Sequence, residues 1–467
     1  MKSLNLQILR LAIPSILANI TIPLVGVVDT AIVGHIDSAT AIGGIAIGTM
    51  LFDLLYWNFG FLRVGTSGMT AQAYGRGDQV ECAKLLSQSV AIALIGTAMI
   101  WLLQWLFVTV VLAIVPCSAE VSAFARKYFF IRIWAAPATL SLMAFKGWFI
   151  GMQDTVSPMV TDIVVNVINM AVSYALAVYT PLGAMGVAYG TVIAQLTGLL
   201  VALVIFLIRY KAIRQIGYEA IRRLGYKVLK ILGGTEMKRF MSLNGNLFIR
   251  SLCFMVVYVG FTSLASKYGD VELAVSTIMM KLFMLFSYFV DGFAYAGEAL
   301  VGKEIGQQSC SLEDGSDTAY SLEFRGNENS PSFRKGMGVG SVVRLLFAWS
   351  IGVGVLFTLI FAIWSADFYR AMTNDSIVLA RLADYTGWLI AMPIVSTLAF
   401  MWDGVYAGAT AGRQIRNAMI YAALGFVLCY VTTYWWIGIQ GLYIAYFAHL
   451  VARVVYLTVA WRKVLSV

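Results

Sequence analysis

Asp29 is an acidic residue inside a long apolar run, which makes it the first candidate for chemistry in this sequence. A charge placed within a bilayer costs about 2.5–3.5 kcal/mol on insertion scales, so a residue of this kind usually has a function. The same run contains Pro14 and Pro23, and proline permits a helix to bend. Binding of a proton or a cation at Asp29 can therefore be linked to helix shape. The alternative is a carboxylate near the outer interface that makes a helix-packing hydrogen bond.

A later apolar run carries four polar residues at spacings of four, three and four, which place them on one face of a helix. They are Asp162, Asn166, Asn169 and Ser173. Thr191 in the next run can join them. With Asp29 they would form an oxygen-rich pocket that holds a proton on a carboxylate or a dehydrated monovalent cation. The alternative is that the Asn and Ser side chains only join helices, and that Asp162 is a charge at the cytoplasmic end of its span.

Other ionisable residues inside apolar runs give weaker signals. Arg63 is expected to pair with Asp53 or to extend towards the membrane surface. Three acids, Glu298, Asp291 and Asp403, are expected to lie near span ends or to line the second lobe.

Sequence motifs of soluble enzymes fail on inspection. Residues 297–304 imitate a phosphate-binding loop but end in Glu304, where a metal-binding Ser or Thr is required, and no strand precedes them. The chain has only two histidines, too few for a histidine-based metal site. We predict no enzyme activity and no cofactor or metal, beyond H⁺ or Na⁺ as a coupling ion.

The composition indicates a membrane protein. Of 467 residues, 60% are hydrophobic and 12% are charged, which is too little polar surface for a soluble globule of this size. A spanning helix needs about 20 mainly apolar residues, and we count twelve such runs. Lys and Arg concentrate in the even-numbered loops, and positive loops stay in the cytoplasm. The net charge of +9 is thus explained by a topology with both termini in the cytoplasm, and nucleic-acid binding is not expected.

The chain also repeats its own architecture. Residues 65–75 have a counterpart at 296–306, an offset of 231, and residues 151–154 have one at 408–411. Pro137 and Pro393, which precede the second pair of segments, are 256 positions apart, and the difference of 25 matches a polar segment found only in the second half. Two related bundles in one chain are the construction that secondary transporters favour.

These observations predict an all-α integral membrane protein with twelve transmembrane helices in two pseudo-symmetric six-helix lobes. The first lobe is expected at residues 1–208 and the second at 240–467, with a polar cytoplasmic loop at 307–335. The basic cytoplasmic linker between them, 209–239, has apolar residues at roughly helical spacing. It is expected to lie on the inner leaflet as an amphipathic helix or to be a solvated connector.

Four segments, taken together and in order, resemble the multidrug and toxic compound extrusion (MATE) transporters, specifically the DinF-like branch. They are Ile13-Pro14 with residues 28–35, residues 61–68, residues 147–154 and residues 291–299. The resemblance covers nearly the full chain. It implies a V-shaped pair of lobes and antiport, in which an H⁺ or Na⁺ gradient drives export of amphipathic, often cationic compounds by alternating access.

The resemblance also implies a coupling site. In DinF-like relatives this site consists of an Asp in the first span, an Asn and an Asp four residues apart in the fifth, and a Thr in the sixth. Asp29, Asn169 and Thr191 match that pattern, whereas Ser173 replaces the second carboxylate. H⁺ and Na⁺ both stay open as coupling ions. Pro14 matches the proline at which the first helix of such relatives bends.

The expected function is therefore export of small molecules across the cell inner (cytoplasmic) membrane by a monomeric, multi-pass antiporter. The alternative is a lipid-linked saccharide flippase of the same superfamily, which would need a strongly cationic central cavity for pyrophosphate. The matched spans offer only Arg63 and Lys146 for such a cavity. A membrane-embedded enzyme would need a convergent catalytic set, which the sequence does not show.

Overall fold

The computed structural model describes residues 2–36, 39–115, 117–211, 213, 235–313 and 338–465. Within these ranges the regular secondary structure is helical, without strands. Twelve stretches of the described residues are long and apolar enough to cross a membrane, as predicted.

The first half of the chain supplies eight of the α-helices that the structure describes. They are α1 (Lys2–Ile36), α2 (Ala39–Trp57), α3 (Gly60–Arg76), α4 (Gln79–Ile114), α5 (Ala119–Arg132), α6 (Ala136–Gly151), α7 (Val156–Tyr179) and α8 (Met185–Arg209). The described part of the second half supplies six. They are α9 (Thr235–Ala265), α10 (Asp270–Glu313), α11 (Val339–Met372), α12 (Ser376–Gly408), α13 (Gly412–Ile437) and α14 (Gln440–Leu465).

Two of the predicted spans are interrupted helices. α2 and α3 form one apolar stretch broken at Asn58 and Phe59, and α5 and α6 are separated by a 3₁₀ turn at Ile133–Ala135. Pro137 explains the second break, because proline lacks an N–H and crowds the carbonyl four residues earlier. α1, in contrast, is a continuous helix through its two prolines.

Two helix ends differ from the predicted loop boundaries. α9 begins at Thr235, inside the predicted linker 209–239, and α10 continues to Glu313, inside the predicted polar loop 307–335. Most of that linker and of that loop lies outside the described residues, so the prediction of an amphipathic helix stays a prediction.

Apolar clusters show where the two halves separate and where they meet. One cluster is built only from residues of the first half and another only from the second, and both lie away from the termini. A third cluster joins the halves near the termini, through residues such as Ile8, Met69, Leu300 and Met401. The halves therefore share a core at one end and diverge at the other, which leaves a cleft that opens opposite the termini.

Glycines bring α3 and α10 together at the shared end. A methyl group at Gly75 would collide with the Lys303 carbonyl oxygen, and one at Gly306 would collide with the Gln72 carbonyl oxygen. The two contacts are reciprocal, because 303 − 72 and 306 − 75 both equal 231. Small residues of this kind allow close helix packing in membranes, where lipid removes the hydrophobic drive. The repeat predicted from sequence is thus a pseudo-twofold contact between the lobes.

The turns that end α6 and α12 repeat in the same way. Gln153 and Thr410, 257 positions apart, both have positive φ, 63° and 52°, a backbone conformation that costs a non-glycine residue about 1–3 kcal/mol. Both side chains reach the other half: Gln153 Nε2 donates to the Ala299 carbonyl oxygen at 2.7 Å, and Thr410 Oγ1 accepts from Gln72 Nε2 at 3.2 Å. The two strained turns therefore add hydrogen bonds between the halves at the shared end.

Candidate functional site

Close packing of α7 against α8 positions the centre of the predicted coupling site. A methyl group at Gly190 would come within 2.7 Å of the Ser173 backbone nitrogen, and one at Gly186 within 2.7 Å of the Ala177 nitrogen. Only glycine permits this approach. As a result, Thr191, the residue after Gly190, lies directly beside α7.

Asn169 and Thr191 meet as the sequence predicts. Asn169 Nδ2 donates to Thr191 Oγ1 at 3.0 Å, and Thr191 Oγ1 donates to the Val187 carbonyl oxygen at 3.0 Å. Asn169, Thr191 and Ser173 are all buried. Two of their oxygens, Asn169 Oδ1 and Ser173 Oγ, have no hydrogen-bond partner among the described residues. Because buried polar atoms are rarely left unpaired, these two acceptors are suited to a proton donor or a cation.

Asp29 supplies a third oxygen of this kind. Its Oδ1 is buried and lacks a hydrogen-bond partner within the described part of the chain. The helix that carries it, α1, packs against α7. No hydrogen bond in the described residues joins Asp29 to Asn169, so the predicted acid and the Asn169–Thr191 pair are separate groups in this conformation.

Asn166 and Asp162 point to other partners. Asn166 Nδ2 donates to Thr21 Oγ1 at 2.5 Å. This hydrogen bond joins α7 to the part of α1 between Pro14 and Pro23. Asp162 forms an ion pair with Lys146 Nζ of α6 at 2.5 Å. The predicted polar residues of α7 therefore make three separate contacts: Asn169 with Thr191, Asn166 with Thr21, and Asp162 with Lys146. Asp162 is not part of the Asn169–Thr191 group, because its partner Lys146 lies on α6.

Arg132 is a candidate that the sequence analysis missed. It ends α5, donates to Tyr128 Oη at 3.2 Å, and its guanidinium carbon lies 4.7 Å from the ring centre of Phe52. It is the cation that interacts electrostatically with both Asp29 and Asp53. An arginine within an apolar span was the available signal, since such a charge is costly in lipid.

Arg63 does not pair with Asp53, contrary to one expectation. Its two terminal nitrogens donate to the carboxylate oxygens of Glu298 at 3.0 and 3.2 Å, and its guanidinium stacks 4.2 Å from the Tyr295 ring centre. Glu298 is almost fully buried. This bidentate pair connects α3 to α10, and hence one half of the chain to the other.

Asp403 also has partners that the sequence did not reveal. It is bound by the guanidinium of Arg453, and Arg250 Nη2 lies 3.1 Å from its Oδ2. The charge of Asp403 is thus paired with arginines of α9 and α14.

The cleft has a different lining. Asp53 of α2 is exposed, and Lys281, Tyr288 and Asp291 of α10 are exposed or half-buried. A ring contact between Trp57 of α2 and Tyr258 of α9, with centres 5.2 Å apart, joins the two walls of the cleft. The cleft therefore combines carboxylates with aromatic faces.

Comparisons with known proteins agree with this architecture. The MatE family model matches residues 14–175. DNA damage-inducible protein F of Escherichia coli (strain K12) is 31% identical over 457 residues, which cover 97% of this chain and 91% of that protein. The chain belongs to the MATE family of membrane transporters.

Further matches extend over nearly the full length of this MATE protein. Protein DETOXIFICATION 44, chloroplastic, of Arabidopsis thaliana is 24% identical over 475 residues, with coverage of 98% of this chain and 82% of the relative. A solved outward-facing conformation of a multidrug resistance MATE family transporter matches with a TM-score of 0.80 at 16% identity, covering 98% and 95% of the two chains. The predicted fold, two six-helix lobes of a MATE transporter, is confirmed. Its relatives are multi-pass membrane transporters and not enzymes.

Proposed function

We propose that this MATE transporter is a cation-coupled antiporter that exports amphipathic, cationic small molecules by alternating access, with H⁺ or Na⁺ as the coupling ion. The observation that carries the proposal is a set of three buried oxygens on α1 and α7, at Asp29, Asn169 and Ser173, that lack a hydrogen-bond partner among the described residues. Oxygen ligands are those that a proton or a hard monovalent cation requires, and Asp29 alone in this set supplies a negative charge.

α1 provides the link between ion binding and the second half. A methyl group at Gly292 of α10 would come within 2.9 Å of the Ala12 carbonyl oxygen, so α10 packs against α1 beside Pro14. Asn19 Nδ2 also donates to the Tyr288 carbonyl oxygen at 3.4 Å. A change of helix shape at Pro14 that follows ion binding at Asp29 would therefore move the contact with α10.

The cleft supports the choice of substrate class. Asp53 and Asp291 offer carboxylates, and Trp57 and Tyr258 offer aromatic rings. An amphipathic cation can place its charge near one of the carboxylates and its apolar part against the rings. A flippase for pyrophosphate-linked sugars fits less well, because Arg63 and Lys146 are each already paired with a carboxylate.

The proposed setting is the bacterial inner membrane, with both termini in the cytoplasm and the protein acting as a monomer on small molecules. The basic even-numbered loops support this orientation. The cleft opens opposite the termini, so in this orientation it opens to the outside, as expected for release of an exported compound.

The test is transport in proteoliposomes with the H⁺ and Na⁺ gradients imposed separately. Asp29→Asn is expected to abolish gradient-driven export with normal expression and folding. Asp367→Asn removes an exposed carboxylate of α11 and serves as the matched control, with export unchanged. Undiminished export by Asp29→Asn would remove this residue from the mechanism. The gradient that drives wild-type export identifies the ion.

A further inference from the structure

One face of α10 stays accessible although the rest of the helix between Lys281 and Tyr295 is largely buried. The accessible positions on this face include Lys281, Met284, Tyr288, Asp291 and Tyr295, at spacings of three, four, three and four. These spacings define one side of a helix. A face that carries both a lysine and an aspartate at membrane depth is suited to water and not to lipid.

Contacts show that this face lines the cleft. Tyr288 interacts electrostatically with Asp53 of the first half. One turn earlier, Met284 Sδ accepts a hydrogen bond from Tyr258 Oη at 3.5 Å, and Tyr258 is the residue that meets Trp57 of α2. Lys281 lies two turns from Tyr288 on the same face, so its ammonium group is presented to the cleft.

The pseudo-symmetry of the chain supports the same placement. The offset of 231 relates Met50, Asp53 and Trp57 of α2 to Lys281, Met284 and Tyr288 of α10. Each helix forms one wall of the cleft. The two walls differ in charge. α2 carries the carboxylate of Asp53, whereas α10 carries the ammonium group of Lys281, one turn further from the shared end than Met284, the position that matches Asp53.

Lys281 has no ion pair and no hydrogen bond among the described residues. It is exposed, and it lies eleven residues after Asp270, about 16 Å along the helix from the start of α10. In contrast, Lys146 of α6 is paired with Asp162. An accessible ammonium group in a cleft of a transporter is available to bind an anionic group of a ligand.

We propose that Lys281 binds a carboxylate or a similar anionic group of the substrate, while Asp291 receives its cationic group. The two residues are ten positions apart on one face, about 15 Å along the helix, with Tyr288 between them. This arrangement suits an elongated zwitterionic amphiphile with an apolar or aromatic middle. The inference rests on the proposed export function and extends its substrate class beyond simple cations.

The experiment compares two dyes that differ in one group: a zwitterionic dye with a carboxylate and a quaternary ammonium group at opposite ends of an aromatic middle, and its cationic methyl ester. Both are loaded into proteoliposomes with the driving gradient. The wild-type protein is expected to export both. Lys281→Gln is expected to lower kcat/KM for the acid about tenfold, the effect of one lost charge-assisted hydrogen bond, and to leave the ester unchanged.

Two further variants sharpen the result. Lys281→Arg retains a positive charge and is expected to export the acid at near wild-type efficiency. Lys267→Gln, at an exposed lysine outside the accessible face of α10, is expected to leave the export of both dyes unchanged. Asp291→Asn is expected to impair both dyes, because both carry the cationic group.

Specific outcomes would overturn the inference. Equal acid-to-ester ratios for wild-type and Lys281→Gln would exclude a role for the ammonium group. Wild-type export of the ester without export of the acid would reject zwitterionic substrates and leave the proposed function intact. Export of neither dye would count against the proposed function and against this inference together.

Discussion

Lys146 and Asp403 occupy the same position in the two lobes and carry opposite charges. They are 257 positions apart, and each directly precedes a glycine. A methyl group at Gly147 of α6 would meet the Arg63 backbone of α3, and one at Gly404 of α12 would meet the Ala294 backbone of α10. Each charge is neutralised within its own lobe, Lys146 by Asp162 and Asp403 by two arginines. The pseudo-symmetric fold thus places a lysine–aspartate pair in one lobe and an aspartate with two arginines in the other, both beside the interface between the lobes.

The Lys146–Asp162 pair is expected to contribute to stability as a unit. Lys146→Met alone and Asp162→Leu alone are each expected to destabilise the protein by about 1–3 kcal/mol, because each leaves one charge unpaired at membrane depth. The double variant is expected to be more stable than the sum of the two effects predicts. Thermal unfolding of the purified protein in detergent measures all four forms. Strict additivity would contradict the ion pair.

Arg63 and Glu298 are expected to hold the shared end closed. Glu298→Gln weakens the bidentate pair and should shift the population towards a state in which this end opens. Ser67→Cys, at a fully buried position of α3, reports the change through labelling by a water-soluble thiol reagent in a background without other reactive cysteines. Labelling is expected to rise several-fold.

The matched control for that experiment is Glu120→Gln, at an exposed glutamate of α5 far from the interface. It should leave the labelling rate unchanged. Equal labelling rates in the Glu298→Gln and Glu120→Gln backgrounds would show that the Arg63–Glu298 pair does not control access.

Arg132 is expected to compete electrostatically with the coupling cation. Arg132→Gln removes the cation that acts on Asp29 and Asp53, so the apparent affinity for the coupling ion should rise by a factor of about five, equivalent to about 1 kcal/mol. Arg132→Lys keeps the charge and should stay closer to wild type. The ion concentration at half-maximal transport measures the effect, and a fall in affinity would refute the assigned role.

The sequence predicted those features of the site that depend on spacing along one helix. Asn169 and Thr191 meet because each lies on the expected face of an apolar span. The partner of Arg63 could not be predicted, since Glu298 is 235 residues away and helix periodicity does not show which helix lies opposite. The break between α5 and α6, just before Pro137, follows from the chemistry of proline. It was not predicted, because the apolar run continues through it.

The reciprocal glycines of α3 and α10 are expected to be necessary for closure of the shared end. Gly75→Ala and Gly306→Ala each place a methyl group against a backbone carbonyl oxygen of the opposite helix, which cannot move away as a flexible side chain could. Because the two contacts are related by the offset of 231, both variants should impair export to a similar degree. Gly352→Ala, where no heavy atom lies within 4 Å of the added methyl group, is the control and should export normally. Dye export from proteoliposomes measures the difference, and normal export by Gly75→Ala and Gly306→Ala would show that the transport cycle does not require this approach of the two helices.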